Sequence, residues 1–490
     1  MIETVEIKKT ATLDDYCALP SLASSVQSMR EEAESLLSRL RGRKLWMVNS
    51  TANGGGVAEM LPQLVSILRE LGLPTEWVVM GSDQPDFFVL TKRLHNMIHG
   101  EGDAPFTESD HALYEAVARK NANALKGRIR PDDILLIHDP QPLGMGSILK
   151  QELGITSIFR CHIGLDEDLP ASRNAWSFLK PFARAYDYSV FSAPEYIPDF
   201  LAGRAGIIHP ALDPLSYKNR DLNPHILTGI LCNARLLPTE QPVVPLAFPE
   251  TAKRLQGDGT FGHADRDGGI GLLFRPIITQ ISRWDRLKGF GPLLDAFVTL
   301  KSQRPRCANE FSLRHRHRLG ILRLVLAGPD PAAVADDPEG QEVLAELIDA
   351  YRALPASLQD DIALISLPMG SRRDNALMVN ALQRCSAVIV QNSLREGFGL
   401  TVTEGMWKNT GILGSRACGI RQQIRDGIEG RLIDDPEDSD EIAELLNDFL
   451  EDVPTRDRLA QNAHRRVHQE FLIFTQVRRW LEVLAQQAGR

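Results

Sequence analysis

Residues 45–61 read LWMVNSTANGGGVAEML, a pattern that indicates the fold class. It opens with a short apolar run of strand length at 45–48 and continues through a polar segment into three glycines at 54–56. From Val57 to Leu71, apolar residues recur at helical spacing. A strand, a glycine loop and a helix in this order predict the opening of a parallel α/β sheet.

The alternation of strand and helix continues along the chain and restarts in its second half. In the first half, further apolar runs of strand length occur at 134–137, 155–160, 188–191 and 207–209. A second series comprises 276–281, 322–327, 362–366, 387–390 and 411–414. We therefore predict the α/β class, with two facing, doubly wound, Rossmann-like domains. Ligands of open α/β sheets bind beyond the carboxyl ends of the strands, so we expect the chemistry on the strand-end loops.

The domain boundaries are placed where this alternation lapses. The first domain is expected at 1–215 and the second at 273–472, and we leave open that a C-terminal helix at 473–490 packs back on the first. Between the domains, 216–272 is rich in turn formers and is interpreted as a linker with an insertion, partly disordered. The arginine-rich stretch 302–319 is interpreted as a solvated insertion loop rather than an anion-binding patch.

Composition and charge exclude several classes of protein. The 490 residues carry a formal net charge of -9 at pH 7, which argues against a nucleic-acid-binding surface. No run of roughly 18 apolar residues exists, so we expect no membrane span. The six cysteines include no C-x-x-C pair, which argues against a zinc site or a disulfide framework. This pattern fits a reducing compartment, and we expect a cytoplasmic protein.

Two cations, Arg283 and Lys288, follow the first strand of the second half in the segment SRWDRLKG. Cations at a strand end can neutralise a diphosphate without a metal ion. At ~4 Å and an effective dielectric of about 20, each such contact contributes on the order of 4 kcal/mol before desolvation. The alternative is the start of a surface helix with two solvated charges.

The segment REGFGLTVTE at 395–404 follows another strand of the second half. Its glycines let backbone N–H groups approach a ligand, and a helix starting near Leu400 directs its positive end at the same place. Glu404, expected in the first turn of this helix, could accept hydrogen bonds from ribose hydroxyls, and Glu396 could hold sugar hydroxyls. The alternative is that Glu404 complements the helix dipole and Glu396 is a loop charge.

The strand ends of the first half also carry polar residues. His162 follows one strand, and Asp139 and Gln141 follow its neighbour, where they could bind the hydroxyls of an acceptor sugar. Gly55 and Gly56 could bring backbone close to a phosphate or sugar. The alternatives are a structural histidine and a tight strand-to-helix turn.

Together, these motifs resemble the retaining glycosyltransferases of family 4, which have the GT-B fold. Within that family they are most similar to the trehalose glycosyltransferring synthases. The resemblance rests on 13–16, 49–59, 138–142, 160–163 and 395–408. It covers most of the chain, apart from about 222–272 and 302–320.

The resemblance implies a role for each candidate residue. Those implied at the reaction centre or on the donor's diphosphate and sugar are His162, Arg283, Lys288 and Glu396. Those implied in donor binding are Gly55, Gly56, Gly397, Phe398, Gly399, Leu400 and Glu404, with Glu404 on the ribose. Asp139 and Gln141 remain the candidates for acceptor binding.

The implied reaction transfers glucose from UDP- or ADP-glucose to glucose, giving trehalose reversibly by front-face attack. No cofactor or divalent metal is required, with a non-essential magnesium ion left open, and a homodimer is expected by analogy. A trehalose phosphorylase, a related transferase with another small polyol or sugar acceptor, and a catalytically silent sugar-nucleotide sensor are the alternatives. A sugar-nucleotide epimerase fits segments 49–59 and 160–163 poorly.

Overall fold

The computed structural model describes residues 2–7, 10–52, 56–238, 248–265, 269–306, 311–331 and 338–489. The chain divides into two compact units, which we call unit 1 and unit 2. Unit 1 comprises Met1–Asp213 together with Phe471–Arg490, and unit 2 comprises Pro214–Glu470. Both units are α/β, as the sequence predicts.

Unit 1 is built on a seven-stranded sheet of described residues. Its strands are β1 (Glu3–Thr4), β2 (Leu45–Asn49), β3 (Thr75–Val79), β4 (Ile134–His138), β5 (Thr156–Arg160), β6 (Tyr188–Phe191) and β7 (Ala205–Ile207). Their order is β1-β3-β2-β4-β5-β6-β7, parallel throughout except for the antiparallel pair of β1 and β3. Every residue of β2 and β4 is buried, as expected for strands of a parallel sheet that is covered on both faces.

The helices of unit 1 connect and cover these strands. They are α1 (Leu13–Cys17), α2 (Pro20–Leu37), α3 (Gly56–Glu70), α4 (Pro85–Ile98), α5 (Glu108–Lys126), α6 (Leu143–Leu153) and α7 (Pro170–Ala183). The helix predicted after the glycine loop is α3, and seven of its residues are buried.

Unit 2 is built on an eight-stranded sheet of described residues. Its strands are β8 (Lys253–Leu255), β9 (Phe261–His263), β10 (Ile277–Ile281), β11 (Arg323–Pro329), β12 (Ile362–Leu367), β13 (Val388–Gln391), β14 (Gly411–Ser415) and β15 (Arg431–Ile433). The order is β15-β14-β13-β10-β11-β12-β8-β9. β10 to β15 pair in parallel, and β8 and β9 add an antiparallel hairpin at the edge.

The helices described in unit 2 lie before, between and after these strands in the sequence. They are α8 (Pro224–Asn233), α9 (Phe290–Arg306), α10 (Leu313–Ile321), α11 (Pro338–Arg352), α12 (Ala356–Gln359), α13 (Arg372–Arg384), α14 (Leu400–Trp407), α15 (Cys418–Arg421), α16 (Ser439–Glu451) and α17 (Val453–Arg466). No helix within the described ranges is both long enough and apolar enough to cross a bilayer.

Two stretches interpreted as insertions are structured in part. Within 216–272, α8 and the hairpin of β8 and β9 belong to unit 2, and Ala252 and Ala264 are buried. Strands of three residues are too short to show a period, which explains why the sequence suggests only a linker. Residues 239–247 and 266–268 lie outside the described residues.

The solvated loop expected at 302–319 is wrong on both sides of 307–310, because 302–306 form the end of α9 and a second helix follows. Helix α10 occupies Leu313–Ile321 and buries His315 and Leu319, and His315 Nε2 lies 2.9 Å from Asn447 Oδ1 of α16. Arginines at 314, 316 and 318 surround these two buried positions in the sequence, so the helical spacing of His315 and Leu319 is not apparent from it. Residues 307–310 lie outside the described part of the chain.

The last helix, α18 (Ile473–Ala488), belongs to unit 1. The returning chain pairs with Leu212, whose N–H donates to Phe471 O at 2.8 Å and whose carbonyl accepts from Ile473 N at 3.1 Å. The Phe474 ring meets Tyr16 edge-on at 5.0 Å between centroids. Unit 1 is therefore completed by the far end of the sequence.

We expect Phe474→Ala to destabilise unit 1 by about 3–5 kcal/mol, because removing the buried ring leaves a cavity against Tyr16. Urea unfolding of the full chain, followed by tryptophan fluorescence, measures the change. Gln486→Ala, an exposed position on the same helix, is the matched control. Equal unfolding midpoints for the two variants would contradict this packing of α18.

Candidate active site

In unit 2, the loops after the neighbouring strands β10 and β13 are tied together by a buried glutamine. Gln391 Nε2 donates to Ser282 Oγ at 3.1 Å and to Ser393 Oγ at 2.9 Å. Its Oε1 accepts from Thr401 Oγ1 at 2.8 Å, which links both loops to α14. The carboxyl ends of two parallel strands and the start of a helix therefore meet at one side chain.

Lys288 and Glu396 form an ion pair on these two loops. Lys288 Nζ donates to Glu396 Oε2 at 2.8 Å, and the two side chains are 14% and 15% exposed. Ser393 Oγ donates to the same carboxylate oxygen at 3.1 Å. The chain turns after Lys288 at Gly289, with φ 60°, where a Cβ atom would lie 2.1 Å from the carbonyl oxygen of Asn392. The position needs glycine both for its backbone angle and for this close approach.

Arg283 lies on the same loop as Lys288, but it is not part of this ion pair. Its side chain is 67% exposed, and its Nη2 lies 3.5 Å from Asp285 Oδ2. Of the two predicted cations, the structure places Lys288 against a site carboxylate and Arg283 at the surface.

The backbone from Glu396 to Leu400 is held in place by its neighbours. Gly399 has φ 82° and is the N-cap of α14. Glu396 O accepts from Gly419 N at 3.0 Å, and a Cβ atom on Gly419 would lie 2.3 Å from Phe398 Cα. Gln423 Nε2 donates to the carbonyls of Phe398 and Gly399. A fixed glycine loop at a helix N-terminus is suited to an anion, because N–H groups and the helix dipole converge there.

Glu404 lies deeper than the sequence suggests. It is the fifth residue of α14, beyond the first turn, and is 5% exposed. Gln383 Nε2 donates to its Oε2 at 3.2 Å, and Lys218 Nζ lies 3.6 Å from its Oε1. The first-turn placement is therefore wrong, since Glu404 lies four positions after Leu400 and one helical turn takes 3.6 residues.

Lys408 extends the Glu404 cluster by one helical turn. Its Nζ donates to Glu404 O and to Asn219 Oδ1, both at 3.3 Å. Burial lowers the pKa of Lys408 to about 7, against the opposing effect of the Glu404 charge. Sequence reasoning missed Lys218, Gln383 and Lys408 as site residues, and Lys218 lies in the stretch interpreted as a linker.

In unit 1, Asp139 connects the ends of β4 and β5. It has a left-handed backbone with φ 65°, its N–H donates to Arg160 O at 2.7 Å, and its Oδ1 accepts from His162 N at 2.8 Å. Burial raises the pKa of Asp139 to about 6. Gln141 Oε1 is buried and has no hydrogen-bond partner among the described protein groups. One oxygen of the predicted acceptor-binding carboxylate is thus engaged in holding the backbone of His162.

His162 is paired with a second histidine that sequence reasoning did not select, although it opens the quoted motif at 138–142. His138 Nδ1 and His162 Nε2 are 3.0 Å apart, and the two rings are nearly parallel, with 14° between their planes. Burial lowers the pKa of both imidazoles, that of His138 to about 3, and the Arg160 charge acts in the same direction. Both rings are therefore neutral at physiological pH.

The remaining predicted residues are placed as follows. Gly55 lies outside the described residues. Gly56 is the exposed first residue of α3 and has open space where a Cβ atom would be. Within the described part of the chain, no group of three or more histidine, cysteine or acidic side chains is arranged to hold a metal ion.

Comparison with known proteins assigns both halves of the chain. The model of the family "Trehalose synthase, N-terminal domain" matches residues 47–198, and that of "Glycosyl transferases group 1" matches residues 274–466. The trehalose synthase of Pyrococcus horikoshii is 31% identical over 482 residues, which cover 97% of each chain. The chain belongs to the trehalose synthase family of glycosyltransferases.

Other relatives of this trehalose synthase-like chain differ in their named activities. The trehalose synthase of Rubrobacter xylanophilus is 33% identical over 426 residues, or 85% of each chain. The trehalose phosphorylase of Pleurotus pulmonarius is 24% identical over 455 residues, which are 89% of this chain and 56% of the phosphorylase. This chain is therefore a trehalose-related glycosyltransferase.

Solved structures show that this trehalose synthase-like chain has the GT-B fold. A UDP-forming trehalose-phosphate synthase from Burkholderia xenovorans, in complex with glucose-6-phosphate, aligns with a TM-score of 0.62 at 17% identity. That alignment covers 91% of this chain and 100% of the synthase. Anabaena HepE, in complex with UDP-glucose, aligns with a TM-score of 0.56 at 16% identity and covers 90% and 99% of the two chains.

We expect the imidazole signals of His138 and His162 to stay in the neutral form down to pH 5, because burial disfavours the charged rings. Since unfolded histidine takes up a proton near pH 6.5, the unfolded state then binds more protons, and stability falls with pH below that value. For His138 the loss is about 1.4 kcal/mol per pH unit until its folded pKa is approached, and the raised pKa of Asp139 partly offsets it.

NMR of the ¹⁵N-histidine-labelled chain between pH 7 and 5 tests this, with free histidine in the same tube as the standard. A titration of either assigned ring with a midpoint above pH 6 would show that the pair is not kept neutral.

Proposed function

We propose that this chain transfers glucose from an NDP-glucose to glucose, forming trehalose reversibly. The observation that carries the proposal is the Lys288–Glu396 ion pair beside the glycine loop and N-terminus of α14. A cation, a fixed backbone loop and a helix N-terminus on one strand edge provide the groups that a diphosphate requires. The glutamate in the same cluster can accept hydrogen bonds from sugar hydroxyls.

In the proposed reaction, the acceptor hydroxyl oxygen attacks the anomeric carbon on the face from which the diphosphate leaves. The bond from that carbon to the phosphate oxygen breaks, and the departing diphosphate oxygen takes the acceptor proton. Lys288 exchanges part of its interaction with Glu396 for one with the developing phosphate charge. Catalysis then depends on position and electrostatics rather than on a protein nucleophile.

The remaining site residues take the following roles in this proposal. Gly397 to Leu400 supply backbone to the diphosphate, and Glu404 holds the ribose. His162, Asp139 and Gln141 bind sugar hydroxyls. No cofactor or divalent metal takes part. UDP- and ADP-glucose both remain candidate donors, and the UDP-glucose held by the HepE structure supports a donor of this class.

A trehalose phosphorylase is the second candidate, and the Pleurotus pulmonarius relative favours it. In that reaction inorganic phosphate would occupy the place of the departing diphosphate beside Lys288. The two reactions share a cationic site and differ in the co-substrate that releases glucose from trehalose.

A substrate panel with EDTA present distinguishes the candidates. We expect trehalose to be consumed with UDP or ADP, and the reverse reaction to give an α,α-linked disaccharide by NMR. Consumption with phosphate alone would instead assign a phosphorylase. Loss of turnover in EDTA that added magnesium restores would contradict a metal-independent reaction.

We expect Lys288→Ala to lower kcat by about 10²–10³-fold, because the leaving diphosphate loses its cation. Arg286→Ala is the matched control, since Arg286 lies on the same turn, is exposed and pairs with Glu346 at 2.8 Å. Thermal unfolding of both variants checks the fold. Turnover of Lys288→Ala equal to that of the control would remove the diphosphate role of Lys288.

A further inference from the structure

His138 cannot contact a substrate directly, yet it contacts a residue proposed to do so. It is the last residue of β4, pairs in register with Arg160 of β5 and is 2% exposed. Its Nδ1 lies 3.0 Å from His162 Nε2. At this distance one of the two nitrogens carries a proton and the other accepts it in a hydrogen bond.

The shared proton can belong to His138 Nδ1 or to His162 Nε2. The burial of the other ring nitrogen of His138 shows which of the two is favoured. If His162 donated from Nε2, neutral His138 would carry its own proton on Nε2. That atom is buried and has no hydrogen-bond partner among the described protein groups. A buried N–H without an acceptor is costly and rare, whereas an unused acceptor lone pair is tolerated more often. The arrangement in which His138 donates from Nδ1 therefore has the lower free energy.

We propose that His138 is a positioning residue that holds His162 in the Nδ1-protonated tautomer by donating its own Nδ1–H to His162 Nε2. The main chain of His162 is fixed as well, because its N–H donates to Asp139 Oδ1 at 2.8 Å. Ring and backbone are thus oriented by two residues on one strand end, His138 and Asp139.

The fixed tautomer gives His162 one chemical role. With Nε2 occupied, the ring nitrogen left for a ligand is Nδ1–H, which can donate to a sugar hydroxyl oxygen but cannot accept a proton. The buried Arg160 nearby, together with burial, further disfavours a protonated ring. His162 is therefore a hydrogen-bond donor to the sugar and not a general base, which leaves the acceptor proton to the diphosphate. This role rests on the proposed function, whereas the tautomer does not.

The tautomer is tested by long-range ¹H–¹⁵N NMR of the full-length, ¹⁵N-histidine-labelled chain, with His162→Gln used for assignment. We expect Nδ1 of both rings to have the shift of a protonated nitrogen and Nε2 of both rings that of an unprotonated one. His138→Asn should preserve the His162 tautomer, since the asparagine amide nitrogen can replace Nδ1 as donor. His138→Leu should release it. A wild-type His162 protonated on Nε2 overturns the proposal, whether or not the variants fold.

Kinetics provide the second measurement. We expect His138→Leu to lower kcat about tenfold with little change in the donor KM, and His138→Asn to stay within about threefold of wild type. Thermal unfolding shows whether each variant is folded. A folded His138→Leu with wild-type kcat overturns the positioning role. If the wild type has neither transferase nor phosphorylase activity, the proposed function fails, and the NMR result still decides the tautomer.

Discussion

The site in unit 2 depends on one ion pair, that of Lys288 and Glu396. A lysine and a glutamate at the surface would gain little from pairing, because water screens both charges. Here the pair is half-buried, and Ser393 and Gln391 donate to the same carboxylate oxygen as Lys288. Glu396 thus holds the Lys288 ammonium group at the strand edge even when no anionic ligand is bound there. In the proposed reaction, the diphosphate competes for Lys288 with a carboxylate that is already fixed.

The two units differ in the charge state of the polar groups at their strand ends. In unit 2 the ionic groups remain partly hydrated or paired, so they can exchange partners with a ligand. In unit 1, His138 is buried and Asp139 and His162 are partly exposed. Burial of their ring and carboxyl groups favours the neutral forms of all three. One strand edge is organised by ion pairs and the other by hydrogen bonds between neutral rings. The two halves of the chain, which match two different family models, therefore also differ in how they stabilise polar groups.

Much of the fold follows from the sequence because long, buried parallel strands and glycine loops leave local signals. The strands near 134–137 and 362–366 were predictable from apolar runs alone. The hairpin at Lys253–Leu255 and Phe261–His263 was not, since its stability comes from pairing with β12 rather than from its own residues. For the candidate site, the sequence predicted which strand-end loops carry it, but not which side chains pair with one another. Nothing in the spacing of His138 and His162, or of Lys218 and Glu404, shows that these side chains meet.

The return of α18 to unit 1 makes that unit discontinuous, while unit 2 is one uninterrupted segment. During synthesis, all of unit 2 leaves the ribosome before the residues that complete unit 1. The strands of unit 1 are therefore made well before residues 471–490, which supply the helix that completes the unit. A chain cut short near its end loses part of the unit that was made first, and a fragment carrying only 214–470 keeps every strand of its own sheet.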